Sequence, residues 1–420
     1  MDRLEIIGGS PLQGEVKVEG AKNAALPILF SSILTSKGCR FDQVPNLLDI
    51  DATIKLLTHL GVQVSFDKQT GQVDLCAEDI NTLEAPYDLV RKMRASVLAL
   101  GPLVARFGKA KVSLPGGCAI GARPIQFHLE GLKKLGAQIE LEEGYVLAKS
   151  KKLIGDRIKL DFPSVGATEN LMMAASLAQG ETLIENAARE PEIVDLANTL
   201  IKMGSEIKGQ GTENISIQGK QELLGCHHQV MGDRIEAATY LTAAFMTQGK
   251  VKVTGVSESD LKEVLHKFTQ AGATINCDQN SIELITNSRP QSCDITTEPF
   301  PGFPTDMQAQ FMALMSLAEG VSWITENIFE NRFMHVPELN RLGAQIEVQG
   351  HRAKVTGVKK LKAAPLMATD LRASACLVLG GLSAEGKTTV SRVYHLDRGY
   401  DQIEVKLQNL GAQIQRVKSS

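Results

Sequence analysis

A short phrase, LGAQI or a close variant of it, occurs six times in this chain, at residues 60–64, 135–139, 203–207, 271–275, 342–346 and 410–414. Neighbouring copies are 68 to 75 residues apart, and a repeat of that length is a supersecondary unit. In every copy an apolar residue precedes a glycine and a β-branched residue ends the phrase. This pattern predicts a helix that ends at a glycine cap and is followed by a strand.

An apolar, alanine-rich segment of about 14 residues precedes each phrase and ends at or near a second glycine, which is Gly38, Gly108, Gly180, Gly249, Gly320 or Gly386. Segments that are apolar on nearly all sides are typical of buried helices. Alternating residues such as VSWITEN at 321–327 then predict a strand. The repeat therefore reads helix, strand, helix, strand, with a further strand between repeats. Three repeats around a local threefold axis would bury the helices inside the sheets, so six repeats predict two α/β domains.

The second repeat has a longer loop than the others. Its two glycines are 28 residues apart, against 23 to 25 in the other copies, and the additional residues fall in PGGCAIGARP at 115–124. A loop extended in one copy of a repeat usually serves function. Cys118 lies in this loop close to Arg123, and a neighbouring guanidinium lowers the pKa of a thiol and makes it reactive. The alternative for Cys118 is a small buried thiol, which we expect for Cys376 in its apolar helix.

Composition excludes several classes of protein. The chain has 420 residues, enough for two domains, with a net charge of −3 and 5% aromatic residues. These values argue against nucleic acid or an anionic membrane as a partner. There is no apolar run of ~20 residues and no signal-peptide pattern. Seven scattered cysteines without a CxxC pair favour reduced thiols in a cytoplasm over disulfides or a zinc site.

Charged and polar residues begin the six apolar helices. Helix N-termini favour anions, so aspartates there have an ordinary interpretation as caps, whereas cations need an anion opposite them. We therefore expect a polyanion to bind between the two domains, where the helix starts converge. The residues concerned are Lys22, Asn23, Arg94, Ser164, Val165, Gly166, Asp233, Arg234, Asp306, Asp370 and Arg372.

Two further patterns concern turns. Arg189, Arg332 and Arg398 follow equivalent strands and lie near carboxylates, which suggests an arranged site; solvated turn arginines are the alternative. Residues 381–388, GLSAEGKT, match the GxxxxGK[ST] pattern of a phosphate-binding loop. That loop needs a strand before it and a helix after it, and the order predicted here is the reverse. We therefore expect no nucleotide loop at this position.

Seven motifs together give the chain a resemblance to the UDP-N-acetylglucosamine 1-carboxyvinyltransferases, the enolpyruvyl transferases of peptidoglycan synthesis. The resemblance covers essentially the whole chain and implies two inside-out α/β barrel domains, each of three repeats around a pseudo-threefold axis. One domain would comprise residues 22–230, and the other residues 1–21 plus 231–420. The motifs are GAKNAALPIL at 20–29, LPGGCAIGARP at 114–124, ENAAREPEIVD at 185–195, FPTDMQAQF at 303–311, FENRFMHVPEL at 329–339, ATDLRAS at 368–374 and DRGY at 397–400.

The resemblance implies a reaction without a redox cofactor or metal. Enolpyruvate would pass from phosphoenolpyruvate to the 3-hydroxyl of UDP-N-acetylglucosamine, with release of phosphate, as the first committed step of peptidoglycan synthesis in the cytoplasm. Cys118 would protonate the methylene carbon, and the epoxide antibiotic fosfomycin attacks the thiol at this position in the family. Asp306 would be the base, and Asp370 would lie beside the phosphoenolpyruvate cradle formed by Lys22, Arg123 and Arg398.

The same resemblance implies a sugar-nucleotide site. The chain departs from the common family sequence at two places in this region. One is Ile125-Gln126-Phe127, where Val-Asp-Leu is common, and the other is Phe162-Pro163, where a lysine often occurs. With the residues noted at helix starts and turns, the full predicted substrate-binding set is Lys22, Asn23, Arg94, Arg123, Pro124, Ile125, Gln126, Phe127, Ser164, Val165, Gly166, Asp306, Ile328, Arg332, Arg372 and Arg398.

Three other functions are alternatives to this one. The sister transferase that acts on shikimate 3-phosphate shares the fold but lacks the PGGC loop. A ring-shaped nucleic-acid clamp would need a basic inner face, which apolar helices and a charge of −3 do not supply. A catalytically inactive paralogue would not need Cys118, Lys22, Asp306 and Arg398, all of which are present.

Overall fold

The computed structural model describes residues 2–91, 93–114 and 125–418, so Cys118, Arg123 and Pro124 lie outside the described residues. The described chain divides into two compact units. One comprises residues 20–231 and is called the 20–231 unit. The other comprises residues 232–418 together with residues 2–19 and is called the 232–418 unit. Each has its own hydrophobic core.

In the part of the chain that the structure describes, six apolar helices form the centres of the two units, three in each, and they contact one another within their unit. Nearly all their residues are buried, as the alanine-rich segments predict. Short 3-10 turns at Arg94–Ala99 and Thr305–Met307 lead into two of them. The six central helices are Lys22–Ser31, Leu100–Phe107, Val165–Ala175, Arg234–Met246, Gln308–Met315 and Leu371–Ser383.

Small residues allow these helices to approach closely. Gly101 shows this, because a Cβ atom there would lie 2.5 Å from the backbone oxygen of Asn170 on the neighbouring helix. Six further helices follow the first strand of each repeat and bury one face against the central helices. They are Leu48–Leu60, Gln126–Lys134, Pro191–Lys202, Lys262–Gln270, Val336–Arg341 and Ile403–Asn409.

The described residues form six four-stranded sheets that share one topology. In each, the first strand is parallel to the second, and the third and fourth continue antiparallel. The sheets of the 20–231 unit, in strand order, are His227–Gln229, Cys39–Asp42, Gln72–Cys76, Gln63–Asp67; Glu84–Ala85, Lys109–Ser113, Tyr145–Lys149, Gln138–Glu142; and Arg157–Lys159, Glu181–Glu185, Asn214–Gln218, Glu206–Lys208.

The first residues of the chain complete the other unit. Strand Arg3–Ile7 occupies the third position of the sixth repeat's sheet, and Gln13–Lys17 occupies the first position of the fourth repeat's sheet. The sheets of the 232–418 unit are Gln13–Lys17, Lys250–Thr254, Ser281–Ile285, Thr274–Asp278; Ile295–Thr296, Val321–Thr325, Arg352–Thr356, Gln345–Gln349; and Pro365–Met367, Lys387–Ser391, Arg3–Ile7, Gln413–Val417.

The glycine caps are confirmed. All six glycines of the repeated phrase, Gly61, Gly136, Gly204, Gly272, Gly343 and Gly411, have φ between 90° and 107°. This left-handed conformation favours glycine and ends a helix before a strand. The phosphate-loop look-alike is also as predicted, because residues 381–388 run from the end of helix Leu371–Ser383 into strand Lys387–Ser391. Among the described residues, the helices are too short or too polar to cross a membrane.

Candidate active site

Asp306 is held between two arginines in the 232–418 unit. Its Oδ1 accepts a hydrogen bond from Arg332 Nη2 at 2.7 Å, and its Oδ2 accepts one from Arg372 Nη2 at 2.8 Å. The arginine side chains are 6% exposed, whereas the Asp306 side chain is 25% exposed. Burial opposes the negative charge, but the two guanidiniums outweigh it and hold the pKa of Asp306 well below its usual range. The carboxylate is therefore ionised and open on one side.

The two equivalent aspartates of this unit have a different role. Asp233 Oδ1 accepts the backbone N–H groups of Ile235 and Glu236 at 2.8 and 2.9 Å. Asp370 Oδ1 accepts those of Arg372 and Ala373 at 2.9 and 3.0 Å. Both aspartates are thus N-caps, while the helix Gln308–Met315 after Asp306 begins without a side-chain cap. The capping interpretation applies to two of the three aspartates and fails for Asp306.

A buried network fixes both arginines. Arg372 Nη1 donates to the Tyr400 hydroxyl at 3.2 Å, and that hydroxyl lies 2.9 Å from Thr239 Oγ1. Arg332 Nη1 donates to Thr305 Oγ1 at 2.9 Å, and the Thr305 hydroxyl donates to Glu326 at 2.9 Å. The guanidiniums therefore reach Asp306 from fixed positions. Sequence reasoning assigned no role to Tyr400, although it ends the DRGY motif.

Glu326 organises the turn that carries Ile328. Its Oε1 accepts the Thr297 hydroxyl at 2.8 Å and the backbone N–H groups of Ile328 and Phe329 at 2.9 and 3.1 Å. Glu326 is 2% exposed, and these bonds satisfy its buried carboxylate. Sequence reasoning also missed this residue. The available signal was its position directly after the strand Val321–Thr325, where a turn needs polar partners.

Arg398 ends a short 3-10 helix, Val393–Arg398, that a second salt bridge anchors. Arg416 binds Asp397 through two hydrogen bonds of 2.6 and 3.0 Å, and its Nε donates to Glu404 at 2.7 Å. Arg392, just before this helix, has φ of 61°, a conformation that non-glycine residues rarely adopt. The segment that carries Arg398 is therefore held in a defined, strained conformation.

His395 lies within electrostatic reach of both Arg398 and Asp370. Burial lowers the pKa of His395, the positive charge of Arg398 lowers it further, and the negative charge of Asp370 raises it. Arg398 and Asp370 therefore both lie within electrostatic reach of His395. The Nδ1 atom of His395 is buried and has no hydrogen-bond partner among the described residues. Asp370 thus acts on His395 as well as capping its helix.

The predicted substrate residues of the 20–231 unit begin its central helices. Lys22 is the first residue of Lys22–Ser31, and its Nζ lies 3.3 Å from Asp49 Oδ2 in a mostly buried ion pair. Asn23 follows it, and Arg94 begins the 3-10 turn Arg94–Ala99. The Ser164 hydroxyl accepts the N–H of Ala167 at 3.4 Å and caps Val165–Ala175.

His128 brings several of these residues together. Burial lowers its pKa to about 4, and the positive charge of Arg94 adds to the effect. A Cβ atom on Gly166 would lie 3.4 Å from its ring, and its Nδ1 lies 3.0 Å from Asn170 Nδ2. His128 belongs to the helix Gln126–Lys134, which also carries Gln126 and Phe127 and follows Ile125. Sequence reasoning missed this buried histidine.

The predicted site residue Arg189 lies at the surface of the 20–231 unit. Arg189 pairs with Glu213 at 3.5 Å with both side chains a third or more exposed, so the alternative of a solvated turn arginine holds for it.

Burial and the nearby Glu192 and Glu190 raise the pKa of Glu169 well above its usual range. The described part of the chain contains no cluster of three His, Cys, Asp or Glu side chains suited to a metal ion.

Comparisons with known proteins identify the family. The family model of EPSP synthase (3-phosphoshikimate 1-carboxyvinyltransferase) matches residues 6–407. A UDP-N-acetylglucosamine 1-carboxyvinyltransferase of Trichlorobacter lovleyi is 57% identical over 418 residues, 99% of both chains. One of Geobacter metallireducens is 56% identical over 418 residues, 100% of both chains.

The fold is shared with a solved structure at low sequence identity. The crystal structure of the enolpyruvyl transferase NikO from Streptomyces tendae has a TM-score of 0.89 and 23% identity, covering 100% of this chain and 99% of the other. The predicted enolpyruvyl transferase-like fold and the resemblance found in the sequence are both confirmed. The chain belongs to the EPSP synthase family, the carboxyvinyl (enolpyruvyl) transferases.

Proposed function

We propose that the protein transfers the enolpyruvyl group of phosphoenolpyruvate to the 3-hydroxyl of UDP-N-acetylglucosamine and releases phosphate. The observation that carries the proposal is its 54–57% identity, over essentially the full chain, to curated transferases of that name. The reaction is the first committed step of peptidoglycan synthesis. We place it in the cytoplasm, and we expect loss of the enzyme to affect cell shape and division.

Charge supports phosphoenolpyruvate as the donor. The molecule carries about three negative charges, so its binding needs several cations and N–H groups. We assign this role to Lys22, Arg398 and Arg123, with Asp370 beside them. The Nε atom of Arg332 is buried and has no hydrogen-bond partner among the described residues, so a bound substrate oxygen would satisfy it.

The electrostatics of Asp306 support its role at the acceptor hydroxyl. An ionised carboxylate that is open on one side can accept a hydrogen bond from the 3-hydroxyl and orient its oxygen. Its low pKa makes it a weak base while both arginines hold it. We infer that it takes up the hydroxyl proton as one arginine contact lengthens, when the oxygen adds to C2 of phosphoenolpyruvate.

Cys118 completes the proposed chemistry. As the acid, it delivers a proton to the methylene carbon while the C–O bond forms. The tetrahedral adduct then loses phosphate and a methyl proton, which restores the vinyl group. We also assign Cys118 as the thiol that fosfomycin alkylates. The two compact units are, in this proposal, the two three-repeat domains of the family.

Release of phosphate tests the proposal. The purified chain is mixed with phosphoenolpyruvate and either UDP-N-acetylglucosamine or shikimate 3-phosphate, and free phosphate is measured. We expect phosphate release with the sugar nucleotide and at least about 10³-fold less with shikimate 3-phosphate, because a site built for one polar acceptor rejects another strongly. Release with shikimate 3-phosphate alone would assign the protein to the sister activity, and equal rates would contradict the proposed acceptor.

A further inference from the structure

Two cysteines lie opposite each other in the first sheet of the 20–231 unit, where a strand that follows the third repeat pairs with a strand of the first repeat. The strands Cys39–Asp42 and His227–Gln229 are parallel, with Arg40 opposite His227 and Phe41 opposite His228. The N–H of Arg40 donates to the carbonyl oxygen of Cys226 at 2.8 Å. Cys226 directly precedes its strand, so the same register places it opposite Cys39.

Both side chains point to one face of the sheet. Side chains alternate along a strand, and Phe41 and His228 are buried on the inner face. Cys39 and Cys226 each precede one of these residues by two positions and therefore share that face. Adjacent strands are ~4.8 Å apart, which lies within the Cα–Cα range of about 4.4–6.8 Å for disulfides.

A cavity of about 510 Å³ gives access to this pair. Cys39, Cys226 and Cys76 contribute to its lining, as do Arg40 and Asp74. Cys39 is 2% exposed, whereas Cys226 is partly exposed, and both are free thiols. Leu75 and not Cys76 lies opposite Cys39 on the neighbouring strand, so the side chain of Cys76 points to the other face of the sheet. Because Cys226 is partly exposed and lines this cavity, a small reagent could reach its thiol.

The electrostatics of the pair favour a thiolate on one of its two cysteines. A hydrogen bond between the two thiols lowers the pKa of Cys39 and raises that of Cys226. Burial raises the pKa of Cys226 further and the positive charge of Lys202 offsets this only in part, so the thiolate of the pair is favoured on Cys39. Lys202 also lies 3.1 Å from Nδ1 of His228, on the strand that Cys226 precedes. A thiolate in this pair is the nucleophile that thiol–disulfide exchange requires.

We propose that Cys39 and Cys226 are a modification site, which a low-molecular-weight disulfide such as oxidised glutathione converts into an intramolecular disulfide. One cysteine thiolate attacks a sulfur of the small disulfide, which breaks its S–S bond and releases one thiol. The second cysteine attacks the protein sulfur of this mixed disulfide and releases the other thiol. Two cysteine thiols are oxidised and one small disulfide is reduced to two thiols. This inference is independent of the proposed function.

The bond would join the last strand of the third repeat to the first strand of the first repeat. It would close a loop of roughly 190 residues, and long loops gain most from a cross-link. Oxidation should therefore stabilise the 20–231 unit by restricting its unfolded state.

The experiment uses the full chain with Cys118→Ser, which removes one competing thiol outside the pair. It is incubated with oxidised glutathione, then digested and mapped without reduction. We expect one cross-linked peptide that joins Cys39 and Cys226. We also expect a rise in Tm of about 5–15 °C that dithiothreitol reverses. Cys76→Ser should keep both effects, and Cys226→Ser should abolish both.

The peptide map of the oxidised protein that retains Cys226 still tests the proposal if Cys226→Ser does not fold. Glutathione retained on Cys226 without a cross-link would overturn the proposal. A link from Cys76 to either cysteine, or an unchanged Tm despite the predicted link, would overturn it as well.

Discussion

The two compact units have the same backbone plan but begin their central helices with different side chains. In the 20–231 unit these positions hold Lys22, Arg94 and Ser164, whereas the 232–418 unit has an aspartate at each of the three. Cations at helix N-termini oppose the helix dipole, and Lys22 lies in an ion pair with Asp49. The apolar helices and glycine caps suffice for the fold, which leaves the first turns free to carry function.

The comparison is sharper within the 232–418 unit. Asp233 and Asp370 cap their helices, as the dipole favours, while Asp306 binds Arg332 and Arg372 instead. Three residues of one type at equivalent positions thus have two roles. Substitutions that preserve a cap but remove a charge should separate these roles.

The largest effect is expected from Asp306→Asn. An amide cannot take up a proton, so kcat should fall by about 10²-fold or more. Two buried guanidiniums would also lose their counter-ion, which should reduce the free energy of unfolding by about 3 kcal/mol. Steady-state phosphate release and urea denaturation measure the two effects.

Asp233→Asn is the matched control for this substitution. Asparagine caps helices about as well as aspartate, so the free energy of unfolding should change by less than about 0.5 kcal/mol. Activity should stay within about tenfold of the parent. Equal losses in the two variants would contradict the distinction between the capping and the salt-bridged aspartates.

A second comparison concerns one buried histidine in each unit. His128 and His335 both precede the glycine of their repeat by eight residues, at equivalent positions of the second and fifth repeats. Each contacts a central helix, His128 through Asn170 and His335 through the sulfur of Met312 at 3.3 Å. Burial lowers the pKa of both to about 4.

Stability should therefore fall in mild acid. The unfolded chain protonates these histidines below pH ~6.5, whereas the folded chain stays neutral down to pH ~4. Stability is thus lost as the pH falls through this window, by about 2 kcal/mol for each histidine between pH 7.5 and 5. Urea denaturation of the parent, His128→Gln and His335→Met at both pH values measures the loss.

Each variant should lose the contribution of its own histidine, which is about half of the contribution of His128 and His335 together. Comparing each variant with the parent cancels the titration of the other groups. A pH dependence that remains unchanged in either variant would show that its histidine is not buried in the neutral form.

The smallest effect is expected at a glycine cap. Gly343 has φ of 90° and no atom near its missing Cβ, so Gly343→Ala should cost only the left-handed conformation, about 1 kcal/mol. Gly61 has φ of 107°, and a Cβ there would lie 2.6 Å from the Asp79 carbonyl oxygen. Gly61→Ala should therefore destabilise its unit more. Thermal unfolding of both variants tests this order, and equal shifts in Tm would contradict it.

Sequence patterns predicted the local structure well because their causes are local. A glycine after a helix and an apolar segment without a polar face act over a few residues, so the six helix–strand repeats could be derived from the chain. The motifs around Asp306 and Asp370 likewise pointed to the family. The sequence could not separate capping from salt-bridged aspartates, because both look alike beside a helix start.

The amino-acid sequence by itself determined the repeat, the glycine caps, the α/β class and the family. The tertiary structure decided which side chains meet. Arg332 and Arg372 reach Asp306 from distant parts of the chain, His128 lies beside Gly166, and Arg189 pairs at the surface with Glu213. The contacts of Arg372 with Asp306 and of His128 with Gly166 join separate repeats, and packing combines the positions of many residues that no short segment encodes.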